Sequence, residues 1–166
     1  DFGLADIAQV IAVEQPGKFH LDMGLLLIGK GVVILNDSQA ALQDALEMAE
    51  AIPCLTTKAM AAKLTLQCDL ETDAAHDLAA AGLTVKRQNL EADVAYNFFN
   101  GEFVTGRDGA AYYITNGGPQ EQEVAFQTLM VQDWRVVKKV FFSPQTAAQR
   151  SLQAGGGVGC RLKGSR

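Results

Sequence analysis

The sequence predicts an α/β fold in one domain that spans residues 1–166, and three observations support this class. Apolar, β-branched runs alternate along the chain with segments of helical periodicity. The order hairpin, helix, strand occurs at least twice. The chain has 166 residues, of which 48% are hydrophobic, so it can bury one substantial core but is short for two.

The first predicted unit begins with a hairpin in the stretch MGLLLIGKGVVILND. Strands are expected over Met23–Ile28 and Val32–Leu35, because both runs are apolar and the turn Gly29–Gly31 separates them. Ser38 is expected to be the N-cap of the next helix, QAALQDALEMAEAI, which Pro53 ends. The unit therefore opens with two strands and a helix.

Three further elements are predicted after that helix. The stretch KLTLQCDL alternates like a strand, and DAAHDLAAAG is predicted as a helix that Gly82 closes at its C′ position. The stretch LTVKRQ is predicted as a strand that follows. His76 is expected on an exposed helix face, because acidic residues surround it.

The second predicted unit repeats the first in architecture. NFFNGEFVTGRDGAAYYITNGG predicts two strands separated at Gly106–Gly109, and PQEQEVAFQTLMVQDW predicts a helix with Pro119 near its first position. VVKKVFFSP predicts the closing strand. The glycine-rich stretch AGGGVGC is expected to form a last strand, which carries Cys160.

Charge and hydropathy exclude several classes of partner. The net charge is −5, so no overall positive field attracts nucleic acid or anionic lipid. No apolar run approaches about 20 residues, the length that a membrane span needs. We therefore expect neither a nucleic-acid nor a membrane partner, and a cationic ligand is electrostatically easier to bind.

The three cysteines lack both zinc-site spacing and the density of a disulfide scaffold. A reducing compartment such as the cytoplasm is expected, with no metal and no cofactor. Cys54 and Cys68 are predicted to be small buried residues. The first residues, DFGLADIAQV, include no Met and no basic flank, which predicts a piece excised from the C-terminal end of a longer protein.

One set of residues can supply catalytic chemistry. His20 and Asp22 are two positions apart at the start of a predicted strand, so their side chains share one face. With Cys160 they would provide a nucleophile, a general acid/base and an anionic group for a cation. The alternative is a surface His and Asp ahead of an ordinary hairpin.

Three stretches of the chain, in order, resemble a known family. FHLDMGLLLIGKGVVILND, NFFNGEFVTG with ITNGGPQEQEVAFQTLM, and VVKKVFFSP with LQAGGGVGCRL are similar to the guanidino-group-modifying enzymes, the pentein superfamily. The resemblance is strongest to the catalytic C-terminal part of the protein-arginine deiminases, and it covers about Gly17 to Lys163. It implies a pentein-like α/β propeller of repeated ββαβ modules, in a shortened or partial form, with the active site in a central channel.

The resemblance also implies roles for individual residues. Cys160 would be the nucleophile, His20 the general acid/base and Asp22 the carboxylate that binds the guanidinium. The family uses a further acidic residue from an earlier module, for which Asp1 or Asp6 can stand in. The remaining implied substrate-binding positions are Asn97, Gly156 and Gly157.

The function implied is hydrolytic deimination of an arginine guanidinium, free or peptidyl, to a ureido group with release of ammonia. The substrate would be arginine or an arginine-containing peptide or protein. A toxin or effector domain of this kind would act in the cytoplasm of a target cell and meet an inhibitor or immunity protein. The alternatives are an amidinotransferase and a non-catalytic pentein that binds guanidino ligands; Gly159, at a position usually occupied by histidine, favours the latter.

Overall fold

The structure is a computed structural model that describes residues 10–16, 21, 24–29, 31–89, 96–154 and 156–159. The chain divides into two compact units, Asp1–Leu90 (unit 1) and Glu91–Arg166 (unit 2), and each contains one three-stranded sheet. The predicted α/β class is confirmed. The described residues include no closed sheet, and the single domain and the pentein-like propeller stay predictions.

Unit 1 has a mixed sheet in the order β1-β2-β3. The first two strands pair antiparallel, and the second and third pair parallel, so that the helices lie in the crossover between them. Its elements are β1 (Leu25–Gly29), β2 (Val32–Asn36), α1 (Gln39–Ala51), α2 (Leu55–Ala80) and β3 (Thr84–Gln88).

Unit 2 repeats this topology with the sheet order β4-β5-β6, again antiparallel and then parallel. The predicted recurrence of hairpin, helix and strand is therefore confirmed. The elements are β4 (Glu102–Thr105), β5 (Ala111–Thr115), α3 (Gln120–Thr128) with a π-helical turn (Leu129–Asp133), β6 (Lys139–Phe142) and α4 (Gln145–Gln153).

Glycines with positive φ mark both predicted hairpin turns. Gly29 and Gly31 have φ values of 88° and 72°, and Gly109 has a φ of 77°. Gly82, with a φ of 81°, directly follows the C-cap of α2. Since this backbone region favours glycine, these turns and this helix end were accessible to prediction from local sequence.

The prediction of a strand over KLTLQCDL is wrong, because these residues lie inside α2, a continuous helix of 26 residues. The alternation of Leu64 and Leu66 resembles a strand, yet Leu66 is 60% exposed. The buried residues of α2 instead follow helical spacing and include Cys68, Glu71 and Ala74. A buried glutamate within that face hides the helical pattern from sequence reasoning.

The end of the described chain also differs from prediction. Where a glycine-rich strand was expected, Val158 and Gly159 are helical. The preceding helix α4 was missed, because it is only nine residues long, mostly polar, and buries Ala148 alone.

Each unit has its own core. In unit 1, sheet residues including Val33 and Leu35 pack against Ala74 and Leu78 of α2. In unit 2 the core is aromatic, and the Phe98 ring lies 5.2 Å from that of Phe126. Among the described helices, none has the length and apolar character to cross a membrane.

The β4–β5 turn is tied to the residue before β6 by the exposed carboxylate of Asp108. This carboxylate accepts hydrogen bonds from Lys138 Nζ at 2.7 Å, Tyr112 OH at 2.8 Å and the Ala110 N–H at 3.1 Å. The Lys138 ammonium, followed by the other two donors, holds the pKa of Asp108 well below its usual range.

Asp108→Asn is expected to weaken the pH dependence of stability in acid. Because the folded pKa is lowered, the stabilisation is present above the unfolded pKa of about 3.9 and is lost as pH falls through the folded pKa. Urea unfolding at neutral pH and between about pH 4 and pH 2 measures the difference. The control is Asp133→Asn at another exposed aspartate. Parallel stability profiles for the parent and Asp108→Asn would contradict the expectation.

Candidate functional site

The predicted site residues fall into two groups. Cys160, His20, Asp22 and Asp6 lie outside the described residues, as does Asp1, so the predicted meeting of thiol, imidazole and carboxylate stays a prediction. Asn97, Gly156 and Gly157 are described, and all three belong to unit 2.

Asn97 begins a tight turn, residues 97–101, that leads into β4. Its φ is 53°, a left-handed conformation that asparagine tolerates better than most side chains. Its carbonyl accepts hydrogen bonds from the Asn100 N–H at 3.1 Å and from Asn116 Nδ2 at 2.8 Å. Within the described part of the chain, its buried side-chain Oδ1 has no hydrogen-bond partner. An unpartnered buried acceptor costs about 1–3 kcal/mol, which a ligand N–H can offset.

The segment 156–159 is attached to this turn by buried asparagines. The Gly159 N–H donates to Asn100 Oδ1 at 2.9 Å, and the Val158 N–H donates to Asn116 Oδ1 at 3.0 Å. Asn100 and Asn116 are almost fully buried. The chain just before Cys160 is thus held by side chains more than 40 positions earlier.

Two glycines make this close approach possible. A Cβ at Gly157 would overlap Asn100 Oδ1 and lie 2.7 Å from Asn116 Nδ2. At Gly159 a Cβ would lie 3.0 Å from the Gly101 carbonyl oxygen. The glycines therefore leave room for the protein's own asparagines. A direct role of Gly156 and Gly157 in substrate binding stays a prediction.

Strand β5 supports the turn from the core side. Tyr113 OH donates to the Phe99 carbonyl at 2.7 Å, and Thr115 Oγ1 donates to the Phe98 carbonyl at 2.6 Å. These buried contacts fix carbonyl groups that the tight turn cannot pair within a sheet. Sequence reasoning missed Asn100 and Asn116 as site residues; the available signal was polar side chains placed directly beside apolar, aromatic runs.

A cavity of about 450 Å³ lies beside the same segment in unit 2. Small side chains form much of its wall, and Arg150 is the cationic residue among those that line it. The lining residues are Asn116, Ser143, Ala147, Ala148, Arg150, Ser151 and Val158. The space adjoins Val158, two positions before Cys160 in the chain.

Unit 1 contains a buried carboxylate, Glu71, which accepts hydrogen bonds from four donor groups of the same unit. Its oxygens accept hydrogen bonds from Asn36 Nδ2 at 2.7 Å, Ser38 Oγ at 2.7 Å, the Ser38 N–H at 2.9 Å and Gln67 Nε2 at 2.9 Å. Ser38 occupies the predicted N-cap position of α1, but its hydroxyl bonds Glu71 instead of a helix N–H. This arrangement joins α2 to the end of β2 and is structural in character.

The two described thiols, Cys54 and Cys68, differ in exposure and in the direction of their pKa shift. Cys68 is buried as predicted, and this burial raises the pKa of its thiol. The prediction that Cys54 is buried is wrong, because it lies exposed at the N-cap of α2, where hydrogen bonding to Thr57 lowers the pKa of its thiol. His76 is exposed on α2, as predicted.

Comparison of the chain with protein-family models, with curated proteins and with solved structures found no match. The resemblance to the pentein superfamily therefore stays a prediction from the sequence motifs.

Proposed function

We propose that the chain is the catalytic part of an arginine deiminase-type hydrolase with a pentein-like fold. One observation carries the proposal: the buried hydrogen bond between Asn100 and Gly159. It joins the N-x-x-N-G motif to the glycine-rich motif across 59 positions, directly before Cys160. These are two of the stretches on which the resemblance depends, and a shared active site requires them to be adjacent.

The repeated topology of the two units gives further support. Each contains an antiparallel strand pair followed by a helical crossover to a parallel third strand. A propeller of ββαβ modules is built from this unit. The free thiols of Cys54 and Cys68 suit the reducing cytoplasm, of the producing cell or of a target cell if the domain is an effector with an immunity protein.

The proposed reaction proceeds in two stages. The Cys160 thiolate adds to the guanidinium carbon, and ammonia leaves with a proton from His20, which yields a thiouronium intermediate. A water molecule, deprotonated by His20, then attacks the same carbon. Collapse of that adduct breaks the carbon–sulfur bond, releases the ureido product and restores the thiolate. The net change is hydrolysis of the guanidinium, so no oxidant or cofactor is needed.

Two acceptors would orient the guanidinium in this scheme. Asp22 would pair with two N–H groups in a bidentate, charge-assisted contact. Asn97 Oδ1, which is buried and has no partner among the described residues, would accept a further N–H. The positive charge of the substrate would favour the thiolate form of Cys160, so no permanent cationic partner is required.

A non-catalytic guanidino-binding pentein is the second candidate, and one observation favours it. A Cβ at Gly159 would lie 3.0 Å from the Gly101 carbonyl oxygen, so the histidine usual at this position has no room without a shift. Such a module would bind arginine compounds without releasing ammonia. An amidinotransferase would instead pass the amidino group from Cys160 to an added amine.

Asp22→Asn tests the proposal at its most specific residue. The amide replaces an anionic acceptor by a group that is half donor, so we expect binding of arginine compounds to weaken by about 3–5 kcal/mol. Calorimetric titration with arginine and with an arginine-containing peptide measures binding, and assays of ammonia and ureido product measure turnover. The matched control is Asp44→Asn at an exposed aspartate of α1.

Each outcome of this experiment separates the candidates. Ammonia release by the parent and its loss in Asp22→Asn support the deiminase. Arginine binding without ammonia indicates the binding module, and amidino transfer to an added amine indicates the transferase. Equal arginine affinity in the parent and in Asp22→Asn would show that Asp22 does not bind the guanidinium and would overturn the proposed role.

A further inference from the structure

We propose that Asn100 is a positioning residue that fixes the Gly159 peptide group, to which the proposed nucleophile Cys160 is bonded, an inference that rests on the proposed function. Asn100 holds the Gly159 N–H twice, with Oδ1 at 2.9 Å and with its own carbonyl oxygen at 3.3 Å. Gly159 is bonded directly to Cys160 in the chain. The anchor is therefore one residue away from the proposed nucleophile.

The helical start of this segment explains why such an anchor is needed. Val158 and Gly159 are its first helical residues, and the first N–H groups of a helix have no partner within the helix. Asn116 and Asn100 accept these two N–H groups from outside the segment. Because both acceptors are side chains fixed in the buried part of unit 2, they specify where the segment begins.

The carboxamide of Asn100 packs tightly against the glycine-rich segment. A Cβ at Gly157 would overlap Asn100 Oδ1, so any larger residue at 157 would displace the carboxamide from Gly159. Hydrogen bonds from Tyr113 and Thr115 of β5 fix the tight turn 97–101 that carries Asn100. A rigid support of this kind limits displacement of a reacting group, and a misplacement of about 1 Å can cost roughly 100-fold in rate.

Asn100→Ala tests the inference by removing the Oδ1 acceptor. We expect kcat for ammonia release from arginine to fall by about 100-fold with little change in KM. The change disturbs the support of the nucleophile, whereas the groups proposed to contact the guanidinium are retained. Alkylation of Cys160 by iodoacetamide, followed by mass spectrometry, is the second readout. It is expected to slow at least about threefold, because loss of the anchor frees the Gly159 peptide group that is bonded to Cys160.

Two controls distinguish positioning from general destabilisation. Cys54, exposed in unit 1, is alkylated in the same sample and should keep its rate. Ser38→Ala removes a buried hydrogen bond to Glu71 in unit 1 and leaves the Asn100 turn of unit 2 unchanged, so it should lower thermal stability with little loss of kcat. Equal losses of kcat in Ser38→Ala and Asn100→Ala, or unchanged Cys160 alkylation in a folded Asn100→Ala, would overturn the proposal.

Gly159→Ala decides the question if Asn100→Ala does not fold. Its Cβ meets the Gly101 carbonyl oxygen at 3.0 Å, which requires a shift of only a few tenths of an ångström. We expect the same lowering of kcat and of Cys160 alkylation, and parental values for both in this variant would overturn the inference. If the parent releases no ammonia but Cys160 alkylation still responds to these variants, the proposed function fails while the positioning of the thiol stands.

Discussion

Cys160→Ala is expected to lower ammonia release from arginine compounds by roughly 10⁴-fold or more, because the covalent step then lacks its nucleophile. A methyl group replaces the thiol, so the binding contacts proposed for Asp22 and Asn97 are retained. Arginine should therefore still bind to the variant in a calorimetric titration. Retained binding with lost turnover would show that the thiol acts in the chemical step and not in substrate binding.

Cys54→Ala provides the matched control for this experiment. Cys54 is also a thiol, and it is exposed with its pKa lowered by hydrogen bonding to Thr57, yet the proposed reaction assigns it no role. We expect turnover by Cys54→Ala to equal that of the parent. Comparable ammonia release by Cys160→Ala and the parent would exclude the proposed mechanism.

Glu71→Ala is expected to lower the free energy of unfolding of unit 1 by about 3–5 kcal/mol. Glu71 has no exposed surface, and its carboxylate accepts hydrogen bonds from Asn36, Ser38 and Gln67. Removal of the carboxylate takes away the acceptor of the Ser38 N–H and hydroxyl and one acceptor each of Asn36 Nδ2 and Gln67 Nε2, and it opens a cavity between α2 and the end of β2. The network couples several groups, so its loss should exceed that of a single hydrogen bond.

Urea unfolding followed by circular dichroism measures this effect, because α1 and α2 form most of the helix in the described chain. The control is Glu47→Ala on α1, an exposed glutamate that bonds only Gln43 among the described contacts. It should change stability by no more than about 0.5 kcal/mol. A loss below about 1 kcal/mol in Glu71→Ala would contradict the structural role assigned to this carboxylate.

Features that depend on local backbone chemistry were predictable from the sequence. The turns at Gly29–Gly31 and Gly106–Gly109 and the helix end at Gly82 each place glycine where φ is positive. The strands beside those turns carry apolar and β-branched side chains, so their position followed as well. The α/β class and the recurrence of hairpin, helix and strand rest on these local signals.

Features that depend on distant partners were not predictable in this way. KLTLQCDL alternates as a strand does, but Glu71 of the same helix finds its hydrogen-bond donors 33 and 35 positions earlier, at Ser38 and Asn36. A buried carboxylate is compatible with a helix face only once those donors are in place. The helical assignment of α2 was therefore hidden from local sequence.

The glycine-rich stretch before Cys160 shows what the local sequence indicates and what the tertiary structure adds. Its glycine content alone indicates a backbone that a neighbouring group can approach closely, because glycine has no side chain. Only the tertiary structure decided that the neighbours are Asn100 and Asn116, which lie 59 and 42 positions earlier in the chain and hold the Gly159 and Val158 N–H groups. The physical reason is that a local pattern records the conformations a segment can adopt, whereas its hydrogen-bond partners are set by how distant segments pack around the core.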